Sequence, residues 1–146
     1  MPLPNFNEVG DLPPGVYRAT IDEVLARCGG SSDARQRCTR NLRHIYDLAR
    51  RTGHLQRLVV FGSYVTDKVA PNDIDVILVM SDQFHPNDVP SELRGLFDHA
   101  VAQARFGASV FWIKPSIVLG EPLEYFIAHW QHKRDGSLRG IVEIVQ

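Results

Sequence analysis

The sequence predicts an α/β chain of the α+β type, a mixed β-sheet of about four to five strands covered by helices. Short apolar runs rich in Val, Ile and Phe at 57–61, 73–80, 108–113 and 140–145 read as strands. Stretches with apolar residues at spacings of three and four lie before and between them and read as helices. The resulting order is two helices, two strands, helix, strand, helix, strand, which suits a two-layer arrangement.

Taken in order, residues 1–18 read as an irregular N-terminal arm, because Met1-Pro2-Leu3-Pro4 and Pro13-Pro14-Gly15 forbid regular structure. Thr20 and Glu23 have the spacing of a capping box for a helix running to about Cys28, which Gly29-Gly30 closes. A second helix spans about 33–52 and ends at Gly53, with Cys38, Leu42, Ile45 and Ala49 as its buried stripe. After the strands at 57–61 and 73–80, residues 82–90 read as an exposed connector, a lid being the weaker alternative. Ser91 opens a third helix with Leu93, Leu96, Phe97, Ala100, Val101 and Ala104 on one face, and Gly107 stops it before the strand at 108–113. Leu123, Phe126, Ile127 and Trp130 mark the last helix, closed by Asp135-Gly136, and the strand at 140–145 follows. With no internal repeat or obvious linker, residues 1–146 form one domain.

Composition sets the frame. A hydrophobic content of 44% and a charged content of 23% are ordinary for a chain that buries a core. No apolar run approaches the length of a membrane span and no signal-like segment opens the chain, so the expectation is a cytoplasmic protein with no membrane partner. Cys28 and Cys38 are too few for a disulfide framework and lack metal-ligand spacing, so reduced thiols are expected. Charge is uneven: Arg27, Arg35, Arg37, Arg40, Arg43, Arg50, Arg51 and Arg57 face only Asp33 and Asp47, a segment of +6 in a chain of net −1. Such a helix face suits a polyanion such as RNA, or an acidic partner protein. A solvated face with packed arginine stems explains it equally well, and no aromatic residues interleave as stacking platforms.

The chemistry concentrates elsewhere. Leu58-Val59-Val60-Phe61 leads into Gly62-Ser63, nine residues intervene, and Asp73-Ile74-Asp75 leads into Val76-Ile77-Leu78-Val79-Met80. Alternation along a strand puts Asp73 and Asp75 on one side, with Ile74 pointing away. Two carboxylates side by side repel unless water or a cation neutralises them. Mg2+ suits such a pair, because it binds through one or two carboxylates plus substrate phosphates. Glycine lets the backbone approach a phosphate closely, and the Ser63 hydroxyl with neighbouring N–H groups can donate to it. Turn chemistry at Pro71-Asn72-Asp73 would account for Asp73 but not for Asp75, which lies inside the apolar run. Lys68, in the spacer, is a candidate phosphate contact, with a plain loop lysine as the equal alternative.

This pattern resembles the nucleotidyltransferase superfamily built on the DNA polymerase beta palm, whose signature is a hydrophobic strand, Gly-Ser or Gly-Gly, a spacer of this length, and Asp-x-Asp on a second strand. The Leu-Pro-Pro-Gly entry at 12–15 and the Gly-Ser-Tyr-Val-Thr-Asp-Lys core at 62–68 are similar to a small, largely uncharacterised prokaryotic group of minimal nucleotidyltransferases. The resemblance implies a palm-like sheet, phosphates held by Gly62 and Ser63, and Mg2+ (or Mn2+) held by Asp73 and Asp75 as the catalytic pair. It also implies transfer of a nucleoside monophosphate from a nucleoside triphosphate such as ATP to a protein or RNA hydroxyl. With little chain beyond the palm, a partner protein, a second protomer of an oligomer or the arginine-rich helix would supply acceptor specificity, and the resemblance carries a weak association with toxin–antitoxin systems. Superfamily members usually carry a third carboxylate on a later strand, and Ala108-Ser109-Val110-Phe111-Trp112-Ile113 has none. Glu143, Glu121, Glu124 and Asp135 are substitutes, Glu143 only if its strand lies beside the Asp pair. The alternative is a catalytically degenerate palm that serves as a nucleotide-binding or neutralising partner. His129 and His132 lack a visible third ligand, Ser63 lacks a readable nucleophile arrangement, and Lys133, Arg134 and Arg139 are further phosphate contacts or ordinary turn charges.

Overall fold

A computed structural model, describing residues 3–118 and 120–146, gives a single five-stranded mixed sheet in the order β1-β5-β2-β3-β4. The strands are β1 (Val16–Thr20), β2 (Leu55–Phe61), β3 (Ile74–Met80), β4 (Ala108–Ile113) and β5 (Ile141–Val145). The β2–β3 and β2–β5 pairs are antiparallel, while β1–β5 and β3–β4 are parallel. The helices are α1 (Ile21–Cys28), α2 (Asp33–Arg51), α3 (Ser91–Arg94), α4 (His99–Phe106) and α5 (Leu123–His129).

The alternation of each central strand sends its apolar residues to two cores. Leu58, Val60, Val76, Leu78, Val110 and Val142 pack on α1, α2 and α4, where Cys38, Leu42, Ile45 and Ala49 form the expected stripe of α2. Val59, Ile77, Val79 and Ile141 face the other way, onto Ile127 of α5 with Leu123, Phe126 and Trp130 around it. The fold is therefore covered on both faces, not two-layered. Burial on both sides is also why β3 reads as an unbroken apolar run beyond Asp75.

Three expectations change, and one weaker alternative falls. The arm is irregular only to Gly15. From Val16 it is an edge strand, and the segment before it is tied down where the Gly140 and Ile141 amides donate to the Leu12 and Gly15 carbonyls. Met1 and Pro2 of that arm lie outside the described residues. The third helix is broken, since a single turn at Gly95–Phe97 intervenes and Asp98 caps a new helix by accepting from the Val101 amide at 3.0 Å. That restart shifts the helical phase, so Ala102 and Phe106 are buried where Ala100 and Ala104 were expected. The last helix ends at His129, six residues before Asp135, because two turns carry the chain into a small hairpin closed by a His132–Leu138 bridge. Finally, the 82–90 connector leaves the opposite end of β3 from Asp75, about 20 Å away along the strand, and buries Phe84 and Val89, so it is no lid.

Candidate functional site around Asp75

The loop from β2 to β3 is positioned from below by one residue of α2. Arg35 is 7% exposed and donates to four carbonyls: Cys28 (2.7 Å), Tyr64 (2.8 Å), Lys68 (2.9 Å) and Thr66. An arginine offers five donors in a rigid fork, so a single side chain satisfies carbonyls that a loop cannot pair by itself. Tyr64, fully buried, is held by the Thr39 hydroxyl at 2.7 Å.

Gly62 takes φ 80, ψ −163, a conformation open essentially to glycine alone. A Cβ at this position would lie 2.1 Å from the Asp75 Oδ2, so the absent side chain is what lets the backbone sit against that carboxylate. Ser63 opens a single helical turn (Ser63–Val65) directly beside it. The expected association of Gly62, Ser63 and Asp75 is thus present in space. Asp73 and Asp75 are both half-buried, and Asp73 is near enough for its charge to act on Asp75. Burial, first, and the Asp73 charge, second, push the Asp75 carboxyl up to about 6, with Arg139 and the Ser109 hydroxyl pulling the other way.

Phe61, Asp75 and Ser109 stand in register across β2, β3 and β4. Ser109 therefore occupies the place beside Asp75 where a third acid was sought. Glu143 cannot replace it: β2 separates its strand from β3, and its carboxylate is engaged by Arg57. Glu124 is held by the same Arg57, and Glu121 lies 3.9 Å from His129. Asp135 does line a hollow with Ser63 and Asp75, although its carboxylate caps the Ser137 amide at 2.9 Å. Among the described residues, no group of three or more His, Cys, Asp and Glu side chains could hold a metal ion.

What sequence reasoning undervalued is the cationic wall. The hairpin after α5 brings Lys133, Arg134 and Arg139 to the hollow of about 420 Å³ that Ser63, Asp75 and Asp135 also line. Asp11 of the arm, 5% exposed, anchors this wall through Lys133 (2.9 Å) and Arg139 (3.7 Å). The basic cluster was visible in the sequence, but no local pattern placed a turn 60 residues downstream beside Asp75, and nothing singled out Asp11. Lys68 is exposed, holds the loop through its backbone, and is not among the side chains lining the hollows beside Asp75.

Of the eight arginines between 27 and 57, five are engaged within the fold: Arg35 is buried in the loop, Arg27 of α1 donates to the Leu3 and Pro4 carbonyls, Arg43 pairs with Asp22 and Asp47, Arg51 with Glu92, and Arg57 of β2 with Glu124 and Glu143. Arg37, Arg40 and Arg50 stand exposed on α2. His129 and His132 stack on each other at 5.6 Å on the surface. Cys28 and Cys38 are free buried thiols, both pushed upward by burial, Cys28 to about 11. No helix among the described residues is long and apolar enough to cross a membrane.

A model of the family of unknown function DUF6932 matches residues 4–145, and the chain belongs to that family. Neither a curated protein nor a solved structure matches the chain.

Proposed function

We propose that this protein is a metal-dependent nucleotidyltransferase, transferring a nucleoside monophosphate from a nucleoside triphosphate to a hydroxyl of a protein or RNA acceptor and releasing pyrophosphate. The observation that carries the reading is the packing of Gly62 against the Asp75 carboxylate, with Ser63 beside it and a cationic wall opposite. The donor set fits Mg2+ or Mn2+: the Asp73 charge disfavours that of Asp75, and a divalent cation relieves that repulsion. Asp73 and Asp75 would hold the metal, which when bound neutralises charge growing on the transferred phosphoryl group.

The chain's own residues do the rest. Gly62 lets the backbone sit against the Asp75 carboxylate, the Ser63 hydroxyl donates to a phosphate oxygen beside it, and Arg139 and Lys133 attract the polyphosphate. Most of the rate enhancement comes from this positioning and charge balance. A partner protein or second protomer supplies the acceptor, as in a toxin–antitoxin pair, and the cytoplasm supplies the triphosphate while keeping the two thiols reduced.

One observation favours a second reading, a catalytically degenerate palm that binds nucleotide as a neutralising partner. With Ser109 beside Asp75, the site lacks a third carboxylate on the neighbouring strand, which weakens chemistry more than binding. Label transfer decides between them. Each alpha-labelled nucleoside triphosphate is incubated with Mg2+ or Mn2+ and extract, beside the Asp73→Asn, Asp75→Asn double variant. Labelled protein or RNA that vanishes in the variant supports the transferase, whereas metal-dependent binding without labelling supports the degenerate partner.

A further inference from the structure

A second hollow of about 370 Å³ adjoins the first, sharing Asp75, Lys133, Arg134 and Arg139 with it, and its lining divides by chemistry. One wall is aromatic. Trp130 stands 4.8 Å from Phe61 and 5.0 Å from Phe111, ring centre to ring centre, and Phe111 is 37% exposed. The other wall is the cationic hairpin, with Lys133, Arg134 and Arg139, and Asp75 and Ser109 form the floor between them. Phe61 and Trp130 pack against the second core, whereas Phe111 lies on the edge strand β4, outside that cluster and open to the hollow. An aromatic face at one end and cations at the other, in a hollow of ligand size, match an anionic aromatic molecule.

We infer that this hollow is the nucleoside half of the site: the base stacks on Phe111 and Trp130, and the phosphates run past Asp75 toward Lys133, Arg134 and Arg139. The inference rests on the nucleotide reading above and adds where the base lies and how it is chosen. Phe111 sits two residues beyond Ser109 on the same face of β4, about 7 Å along the strand from the level of Asp75. That is the reach a ribose provides between a phosphate at Asp75 and its base. The wall is mainly aromatic carbon, and the Ser109 hydroxyl already takes the Gln103 amide at 3.2 Å. Selection therefore follows the size of the stacked face more than the hydrogen-bonding edge, so purines bind more tightly than pyrimidines and ATP and GTP bind alike.

Two magnesium-loaded probes separate the base from the phosphates: ATP and inorganic tripolyphosphate. Both are titrated calorimetrically into the full chain and into the Phe111→Ala and Trp130→Ala variants. Each variant is expected to weaken ATP roughly tenfold, from the usual worth of one base–aromatic stack, while tripolyphosphate binding stays unchanged. Unchanged ATP affinity in both variants overturns the aromatic wall and leaves the metal–phosphate site standing. Equal weakening of both probes also overturns it, since that marks a general disruption. Failure of the unaltered chain to bind either probe removes the nucleotide reading together with this one. A further measurement keeps Trp130 intact: in Trp112→Phe, the remaining indole is Trp130, and ATP but not tripolyphosphate should quench it. Equal quenching by both, or by neither while ATP binds, contradicts the placement.

Discussion

Asp75 is a carboxylate kept in a place that disfavours its charge. Its carboxyl lies near 6 in the fold against an ordinary 3.8, because burial and Asp73 both oppose ionisation. A raised folded-state value means the fold holds the proton more tightly than the unfolded chain does. The associated stability is fully present below about pH 4 and is lost as pH rises through about 6. The loss is at most about 3 kcal/mol, and less for a half-open group that solvent screens. Asp75→Asn should therefore raise the unfolding free energy measured with urea at pH 7.5 by about 1–2 kcal/mol, with the gain shrinking to nothing toward pH 4. A variant less stable than the parent at pH 7.5, or a gain independent of pH, would contradict this assignment. A group that costs stability and pairs with a second carboxylate is what a cation site requires, since the bound ion recovers the cost. Gly62 belongs to the same argument, because any side chain there would displace the carboxylate it touches.

At the scale of elements, the loop between β2 and β3 depends on α2. Arg35 supplies donors to four carbonyls of the loop and the α1 terminus, and none of this contact is visible in helix periodicity. Arg35→Met keeps the stem but strands those carbonyls, at a cost of about 3 kcal/mol or more. The expected result is a lower urea midpoint together with faster amide exchange in 62–72, and an unchanged midpoint would show that water replaces the guanidinium freely. The helices and strands themselves were largely legible. The stripe of α2, the capping box of α1, with the Glu23 amide donating to Thr20 Oγ1 at 3.1 Å, and β4 at 108–113 follow from local pattern. Two kinds of element were not. The strand at Val16–Thr20 is defined by pairing with β5, residues 141–145, which no local window contains. The break at Asp98 is a cap inside an otherwise continuous helical pattern, and a cap competes with helix continuation on energies too close to read from spacing.

For the whole molecule, the site is assembled from four distant parts of the chain: Asp11, residues 61–75, residues 109–111 and residues 130–139. The Gly62-Ser63 and Asp73/Asp75 pair was readable because strand alternation places it within one hairpin. The cationic hairpin at 132–139, the anchoring Asp11 and the aromatic wall reach Asp75 only through sheet order and the crossover that carries α5 to the second face. Sequence spacing carries no information about such juxtapositions. The eight arginines show the reverse limit: a charge cluster conspicuous in the sequence is mostly consumed in ion pairs and backbone contacts. These parts make the chain a candidate binder of magnesium nucleotides, and that is the claim on which the remaining proposals rest. The most direct test is calorimetric titration of ATP at pH 7.5, with Mg2+ and with EDTA, into the unaltered chain and the Asp73→Asn, Asp75→Asn double variant. The account predicts saturable binding by the unaltered chain with Mg2+, lost with EDTA and lost in the variant. Binding that persists in the variant, or no binding by the unaltered chain, would contradict it.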